Sequence, residues 1–307
     1  MVPALQLITN VQDMFESSAN LQFVSAQDAF EKKTDGWIKF EDATTNSLKI
    51  VSDLTEKCIS SVSIKSSFGH SDALAIKMLE GDFEIEEIHK LVADLIIAAA
   101  DTTSYSTLWS FYLLTTHTDI QEKARVEVLM QQPEEKELLS VDHLRYLHRC
   151  NKESMRMFPV APFLTRMLNK PLKLSDNILL EKDQLILLSS YAMSRNEKYF
   201  RNPNKFWPER WERLKEDTIG GNVSSSKQSL LRGVSADNGA VFASLPFGFG
   251  IRGCIGRKVA EHQMVYFLGR LLQKFKFHSD NTDAVNLHMK LIGMPDKPIK
   301  ISLSKLY

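Results

Sequence analysis

An apolar pattern of helical period runs from about Glu84 to Thr116, with Ile85, Ile88, Val92, Leu95 and Ala99 on one face. At roughly 1.5 Å per residue, a helix of that length crosses a whole domain. The segment is apolar nearly all round, as expected of a buried helix. Its middle is unusual for such a place: Ala98-Ala99-Ala100-Asp101-Thr102-Thr103 sets small residues beside an acid and two hydroxyls. A hydroxyl within a helix can bond the carbonyl of the preceding turn and loosen the ladder locally. A neighbouring carboxylate can then relay protons. Asp101 and Thr102 are therefore candidate catalytic residues, set against the plainer reading of a polar helix face turned to solvent.

The rest of the chain arranges itself around that helix (residues 84–117). Residues 1–83 read as a helical lead-in with polar joints. A charged helix is expected from about Asp119 to Met130, and another from about Asp142 to Met157, ending before Pro159. Between Pro162 and Ser190, short apolar runs alternate with turn residues, which predicts β-strands. Phe206-Trp207-Pro208-Glu209-Arg210-Trp211 is an aromatic and charged knot in a loop. Residues 217–240, rich in Gly, Ser, Asn and Asp, read as a long surface loop. Residues 245–275 combine a glycine-dense loop with a helix from about Ile255 to Phe275, and short strands over 276–307 close the chain. The expected class is mainly α (α+β), with a long central helix and a small β region.

Composition removes several classes of function. The 307 residues carry a formal net charge of zero, so no basic excess exists to neutralise phosphates, which argues against a nucleic-acid binder. Cys58, Cys150 and Cys254 are too few and too scattered for a disulfide framework, which points to a reducing compartment. No run of eighteen or more apolar residues occurs, and the first residues resemble neither a signal nor a transit peptide. A soluble or peripherally membrane-attached chain is expected. His143, His148 and Cys150 cluster without a common zinc spacing and read as surface helix positions, while Cys58 reads as a buried helix residue.

The densest chemistry lies in Phe247-Gly248-Phe249-Gly250-Ile251-Arg252-Gly253-Cys254-Ile255-Gly256. Cys254 immediately precedes a helix, whose free N–H groups and dipole favour a thiolate. Gly250, Gly253 and Gly256 let the backbone approach a bulky flat ligand and permit positive φ. Arg252 offers a fork to a carboxylate. A thiolate so placed can bind iron and push electron density onto bound oxygen.

This loop resembles the haem-binding loop of the cytochrome P-450 superfamily, Phe-Gly-x-Gly-x-Arg-x-Cys-x-Gly. Three further segments match that family in order: Ala98 to Thr103 its oxygen-activation segment, Glu153-Ser154-Met155-Arg156 its Glu-x-x-Arg helix, and Pro208-Glu209-Arg210-Trp211 its meander. The resemblance covers nearly all of residues 84–307 and implies the C-terminal part of that fold. It implies haem b with Cys254 as the axial metal ligand, O2 as co-substrate, and Phe247, Gly248, Gly250, Arg252 and Gly256 around the cofactor. Arg166 is implied as a second partner for a haem propionate. Glu153, Arg156 and Arg210 are implied to form a buried ionic group that specifies the fold beneath the loop. Ala99 stands where the family often has Gly, a small departure.

No nucleotide-binding glycine fingerprint is present, so reducing power is expected from a partner protein. Lys152-Glu153-Ser154-Met155-Arg156-Met157-Phe158-Pro159 and Ala93 to Thr103 are most similar to the mitochondrial clan, and within it to arthropod ecdysteroid hydroxylases. That resemblance implies a mitochondrial protein at the matrix side of the inner membrane, a steroid substrate, and a ferredoxin donor docking on Lys152, Arg257 and Lys258. Family members are much longer ahead of the central helix. The chain is thus expected to be a single incomplete domain: a fragment, a short isoform or an incomplete gene product. Two further readings remain open, a haem-thiolate isomerase or peroxide-driven enzyme, and an inactive or merely binding fragment.

Overall fold

The computed structural model describes residues 3–21, 24–65, 74–131, 139–213, 231, 234–235 and 240–306. The expected surface loop at 217–240 falls almost wholly outside the described residues. The chain divides into two compact units, Met1–Ser104 and Tyr105–Tyr307.

The first unit is helical: α1 (Pro3–Leu21), α2 (Ala26–Glu31), α3 (Asp35–Lys65), α4 (Leu74–Glu80) and the first part of α5 (Ile85–Thr116). Leu7, Val11, Val51 and Ala93 are buried together, with Val92, Ile96, Ile97 and Ala100 packed against them. Lys39 ties α3 to α1 through Asp13 at 2.9 Å and Glu16 at 3.2 Å. Cys58 lies in α3, as the helix reading expects, while its expected burial falls outside the described side chains. The expected face of α5 is buried at Ile88 and half-buried at Val92 and Leu95, but exposed at Ile85 and Ala99; Ala93, off that face, is buried.

The second unit holds the end of α5, then α6 (Thr118–Met130), α7 (Arg145–Met157), α8 (Ser190–Met193) and α9 (Arg257–Lys274). Helix α7 begins later than the periodicity predicts. Residues Val141–His143 form a separate 3-10 turn, and Leu144, at φ −85° and ψ 60°, breaks the path between them. Leu114, Ala124, Val128, Leu144, Leu147, Cys150, Val265, Leu268 and Leu272 form one buried core across α5, α6, α7 and α9. Cys150 is thus a core residue and not a surface position, and burial pushes its thiol well above the ordinary range.

Among the described residues, four antiparallel two-stranded sheets complete the unit. β1 (Phe163–Met167) pairs with β4 (Leu185–Ser189), Phe163 opposite Ser189 and Met167 opposite Leu185. Between them β2 (Leu172–Ser175) and β3 (Ile178–Leu180) form a hairpin. β5 (Phe275–Ser279) pairs with β8 (Ile301–Lys305), and β6 (Leu287–Met289) with β7 (Gly293–Pro295). Gly293 is buried, donates its N–H to Val160 O at 2.8 Å, and leaves no room for a side chain, since a Cβ there would stand 2.6 Å from Pro159 O.

Helix α6 fastens these pieces with polar side chains. Glu127 accepts from the N–H groups of Tyr146 (2.7 Å) and Leu147 (3.0 Å), the second and third residues of α7, which has no side-chain cap of its own. Arg125, 3% exposed, donates to Leu272 O at 3.2 Å and Phe275 O at 2.9 Å, at the C-terminal end of α9. A carboxylate at a helix N-terminus and a guanidinium at a C-terminus are each the sign that the helix dipole favours. Gln121 bonds both backbone groups of Phe277, accepting from its N–H at 2.9 Å and donating to its carbonyl at 3.0 Å.

Candidate functional site

The cysteine loop is held by its own backbone. Cys254 N–H donates to Phe247 O at 2.8 Å, Gly248 N–H to Leu245 O at 3.0 Å, and Gly253 N–H to Gly250 O at 2.9 Å. Gly248 and Gly250 sit at φ +69° and +70°, a region that penalises any side chain. The loop delivers Cys254 two residues ahead of Gly256, the N-cap of α9, and the thiol is free and exposed. A Cβ added at Gly256 would stand 3.9 Å from Cys254 Sγ, so the glycine keeps that side of the sulfur clear.

The loop's apolar side chains face outward. Ile251 and Ile255 are 102% and 89% exposed, and Phe249 and Val259 are exposed as well. Arg252 is exposed between them. Phe247 lies under the Arg257 guanidinium at 5.7 Å, and Arg257 pairs with Glu261 at 3.1 Å. Lys258 is exposed on the first turn of α9. On β1, Arg166 is exposed, its Nη1 donating to Thr165 O at 2.7 Å.

Within the second unit, Glu153 binds two guanidiniums, those of Arg156 and Arg210, and all three residues are 0% exposed. Its carboxylate accepts from Arg156 Nε at 3.0 Å and Nη2 at 2.9 Å, Arg210 Nε at 3.0 Å and Trp211 Nε1 at 2.9 Å. Trp207 N–H adds a fifth contact at 3.2 Å. Arg156 reaches on to Ser194 O at 2.7 Å, and Arg210 to Arg201 O and to Asn202 O at 3.0 Å. The expected trio of Glu153, Arg156 and Arg210 is therefore assembled. Two cations over one carboxylate leave an excess positive charge, which faces the backbone carbonyls of Ser194, Arg201 and Asn202.

Sequence reasoning missed the outer part of this cluster. Glu209, next to Arg210, accepts from Tyr146 Oη at 3.0 Å and Lys123 Nζ at 2.9 Å. These bonds hold the Glu209 carboxyl below its ordinary range despite its partial burial. Lys152 lies over the Trp211 ring at 4.1 Å.

In the first unit, Thr102 Oγ1 donates to Ala98 O at 2.7 Å, the bond to the preceding turn expected of it. Asp101 is buried, and that burial raises its carboxyl above the ordinary range. Among the described residues, no helix is long and apolar enough to cross a membrane.

A family model for cytochrome P-450 matches residues 2–303. The chain is 30% identical over 293 residues to cytochrome P-450 315a1, mitochondrial, of Drosophila melanogaster, covering 95% of this chain and 50% of that protein. It is 35% identical over 232 residues to the mitochondrial cholesterol side-chain cleavage enzyme of Hypanus americanus, covering 75% of this chain and 40% of that protein. The mitochondrial sterol 26-hydroxylase of Rattus norvegicus is 31% identical over 211 residues, covering 68% and 37%. The chain thus spans half or less of the length of these relatives. With the cysteine loop, the Glu153 cluster and a match over nearly its whole length, the chain belongs to the cytochrome P-450 family.

Proposed function

We propose that the chain is part of one catalytic domain of a mitochondrial haem-thiolate monooxygenase that hydroxylates a steroid, of ecdysteroid type, with electrons from a ferredoxin. The observation that carries this is the exposed Cys254 thiol, presented by a glycine-fixed loop at the head of α9. Haem is a flat apolar ring with carboxylates on one edge. The exposed Ile251, Ile255 and Val259, the free thiol and the exposed Arg252 suit such a group, and so does the exposed Arg166. Cys254 is the metal ligand in this reading, with Phe247, Gly248, Gly250 and Gly256 around the ring and Arg252 and Arg166 at the propionates. When bound, haem supplies activation of O2 and insertion of one oxygen atom into a C–H bond, the other leaving as water.

The chain's own residues do the rest. Cys254 would hold the iron through its thiolate, which would supply it with electron density. Asp101 keeps its proton to a higher pH than an open carboxyl, because burial disfavours its charge. Thr102, whose hydrogen is committed to Ala98 O, offers its oxygen lone pairs as an acceptor. The pair suits proton delivery to oxygen. Lys152, Arg257 and Lys258 supply positive charge for an acidic ferredoxin. The relatives with sterol-directed names support the substrate class, and their mitochondrial names support the compartment.

The test is the absorption spectrum of the haem-reconstituted chain, reduced and exposed to carbon monoxide. A strongly red-shifted Soret band that is lost in Cys254→Ser is expected. A chain that takes up haem with the same spectrum in Cys254→Ser would refute thiolate ligation. A panel of sterols, read by substrate-induced Soret shifts, then tests the substrate class.

A further inference from the structure

Of all the arginines in the chain, Arg232 alone has a hydroxyl residue three positions after it, in Arg232-Gly233-Val234-Ser235. A guanidinium three residues ahead of a serine is the charge pattern that basophilic protein kinases read. Such a pattern is common in sequences, so its place in the fold decides what it can do. Ser235 is exposed. Its N–H donates to Tyr199 O at 2.8 Å, and Val234 beside it pairs antiparallel with Phe200. An isolated bridge of this kind opens locally at low cost, so a kinase can draw the serine into its own cleft.

The bridge lies against the residues that hold Glu153. Phe200 is 0% exposed, and the Arg156 and Arg210 guanidiniums stand 5.3 Å and 5.9 Å from its ring centroid. Phe200 therefore faces inward, and the alternation of paired strands turns the exposed Ser235 and Arg201 to the outer face. Diagonal neighbours across an antiparallel pair stand about 7–8 Å apart, within reach of a long side chain. Arg201 makes no ion pair among the described residues, while its backbone carbonyl accepts from Arg210 Nη1. Lys198 Nζ brings a second positive charge, 5.4 Å from the centroid of the Tyr199 ring. Negative charge added at Ser235 thus meets cations, on a stretch of chain that also holds the buried Arg210.

We propose that Ser235 is a phosphorylation site for a kinase that reads Arg232, and that the phosphate pairs with Arg201 and fastens residues 234–235 over the outside of the Glu153 cluster. In the transfer, the Ser235 hydroxyl oxygen attacks the γ-phosphorus of ATP, the bond from that phosphorus to the bridging oxygen breaks, and ADP leaves. The hydroxyl proton passes to the kinase. The serine gains a charge of about −1.5 to −2 and three strong acceptor oxygens. A guanidinium donates to a phosphate through two parallel N–H groups, which a serine hydroxyl cannot receive. The site involves neither Cys254 nor Asp101 and stands apart from the monooxygenase reading.

The test incubates the purified chain with ATP and the catalytic subunit of cyclic-AMP-dependent protein kinase, and locates phosphate by peptide mass spectrometry. Phosphate on Ser235 is expected, with an initial rate roughly tenfold lower in Arg232→Ala. The phosphorylated chain should unfold about 2–4 °C above the untreated chain, the shift that one new charge-assisted contact gives a unit of this size. Arg201→Ala, on an exposed side chain, should be phosphorylated at the wild-type rate yet show no rise. Ser235→Ala carried through the same incubation should show none either. Absence of phosphate from Ser235, or an unchanged rate in Arg232→Ala, would overturn the site. An unfolding midpoint that phosphorylation leaves unmoved, or a rise that persists in Arg201→Ala, would overturn the pairing.

Discussion

Removing the Glu127 side chain isolates one fastening of α6 to α7. In Glu127→Ala the N–H groups of Tyr146 and Leu147 lose their acceptor, and α7 has no other side-chain cap. Loss of a helix cap costs about 1 kcal/mol. Loss of a negative charge at the helix N-terminus adds about 0.5–1 kcal/mol. The expected destabilisation is therefore about 1.5–2 kcal/mol, or roughly 3–8 °C for a unit of this size. Glu127→Gln keeps one acceptor and loses the charge, so about 1 kcal/mol is expected. Urea unfolding followed by tryptophan fluorescence is suited to the measurement, because Trp109, Trp207 and Trp211 lie in the second unit and only Trp37 in the first. The midpoint should fall with the slope unchanged. A Glu127→Ala midpoint that corresponds to less than about 0.5 kcal/mol would mean that water caps α7 equally well, and the reasoning would fail.

Other outcomes follow from the same geometry. Asp101 has its carboxyl raised above 3.8 in the folded chain, so the folded form holds more protons and stability falls as pH rises from there through the raised value. Asp101→Asn should lack that fall and be the more stable form above the window; parallel pH–stability curves would contradict it. Gly293→Ala places a Cβ 2.6 Å from a backbone oxygen, so a loss of about 1–3 kcal/mol is expected by thermal unfolding. Arg210→Lys keeps the charge but loses the fork that reaches Glu153 and Asn202 together; a cost above about 2 kcal/mol is expected, with reduced haem retention on reconstitution. Wild-type unfolding and retention in that variant would show that any cation suffices there.

Much of this was legible in the chain's periodicities. The helices α5, α6 and α9 lie within a few residues of where spacing predicts them, and β1 to β4 occupy the stretch of short apolar runs. The cysteine loop announces itself because its glycines, arginine and cysteine do separate jobs in one decapeptide. What periodicity hid were polar residues that work inside. Arg125, Gln121 and Glu127 look like the wet side of a charged helix, since a helical pattern cannot tell a solvated side chain from one bonded to another element's backbone. The reverse error befell Cys150, grouped with His143 and His148 as surface positions yet sealed in the core. Tyr146 and Lys123 converge on Glu209 from two helices, a meeting that depends on tertiary packing alone.

Gln121 has a consequence for solubility. A two-stranded sheet presents a free edge on which another chain can add a strand. On β5 the backbone groups of Phe277 point away from β8's register partner Leu303 and into the Gln121 carboxamide. One side-chain amide thereby impersonates a residue of a third strand, giving and taking the bonds that an invading strand would need. The edge is blunted at its centre by a side chain from another element, and the sheet can stay two strands wide.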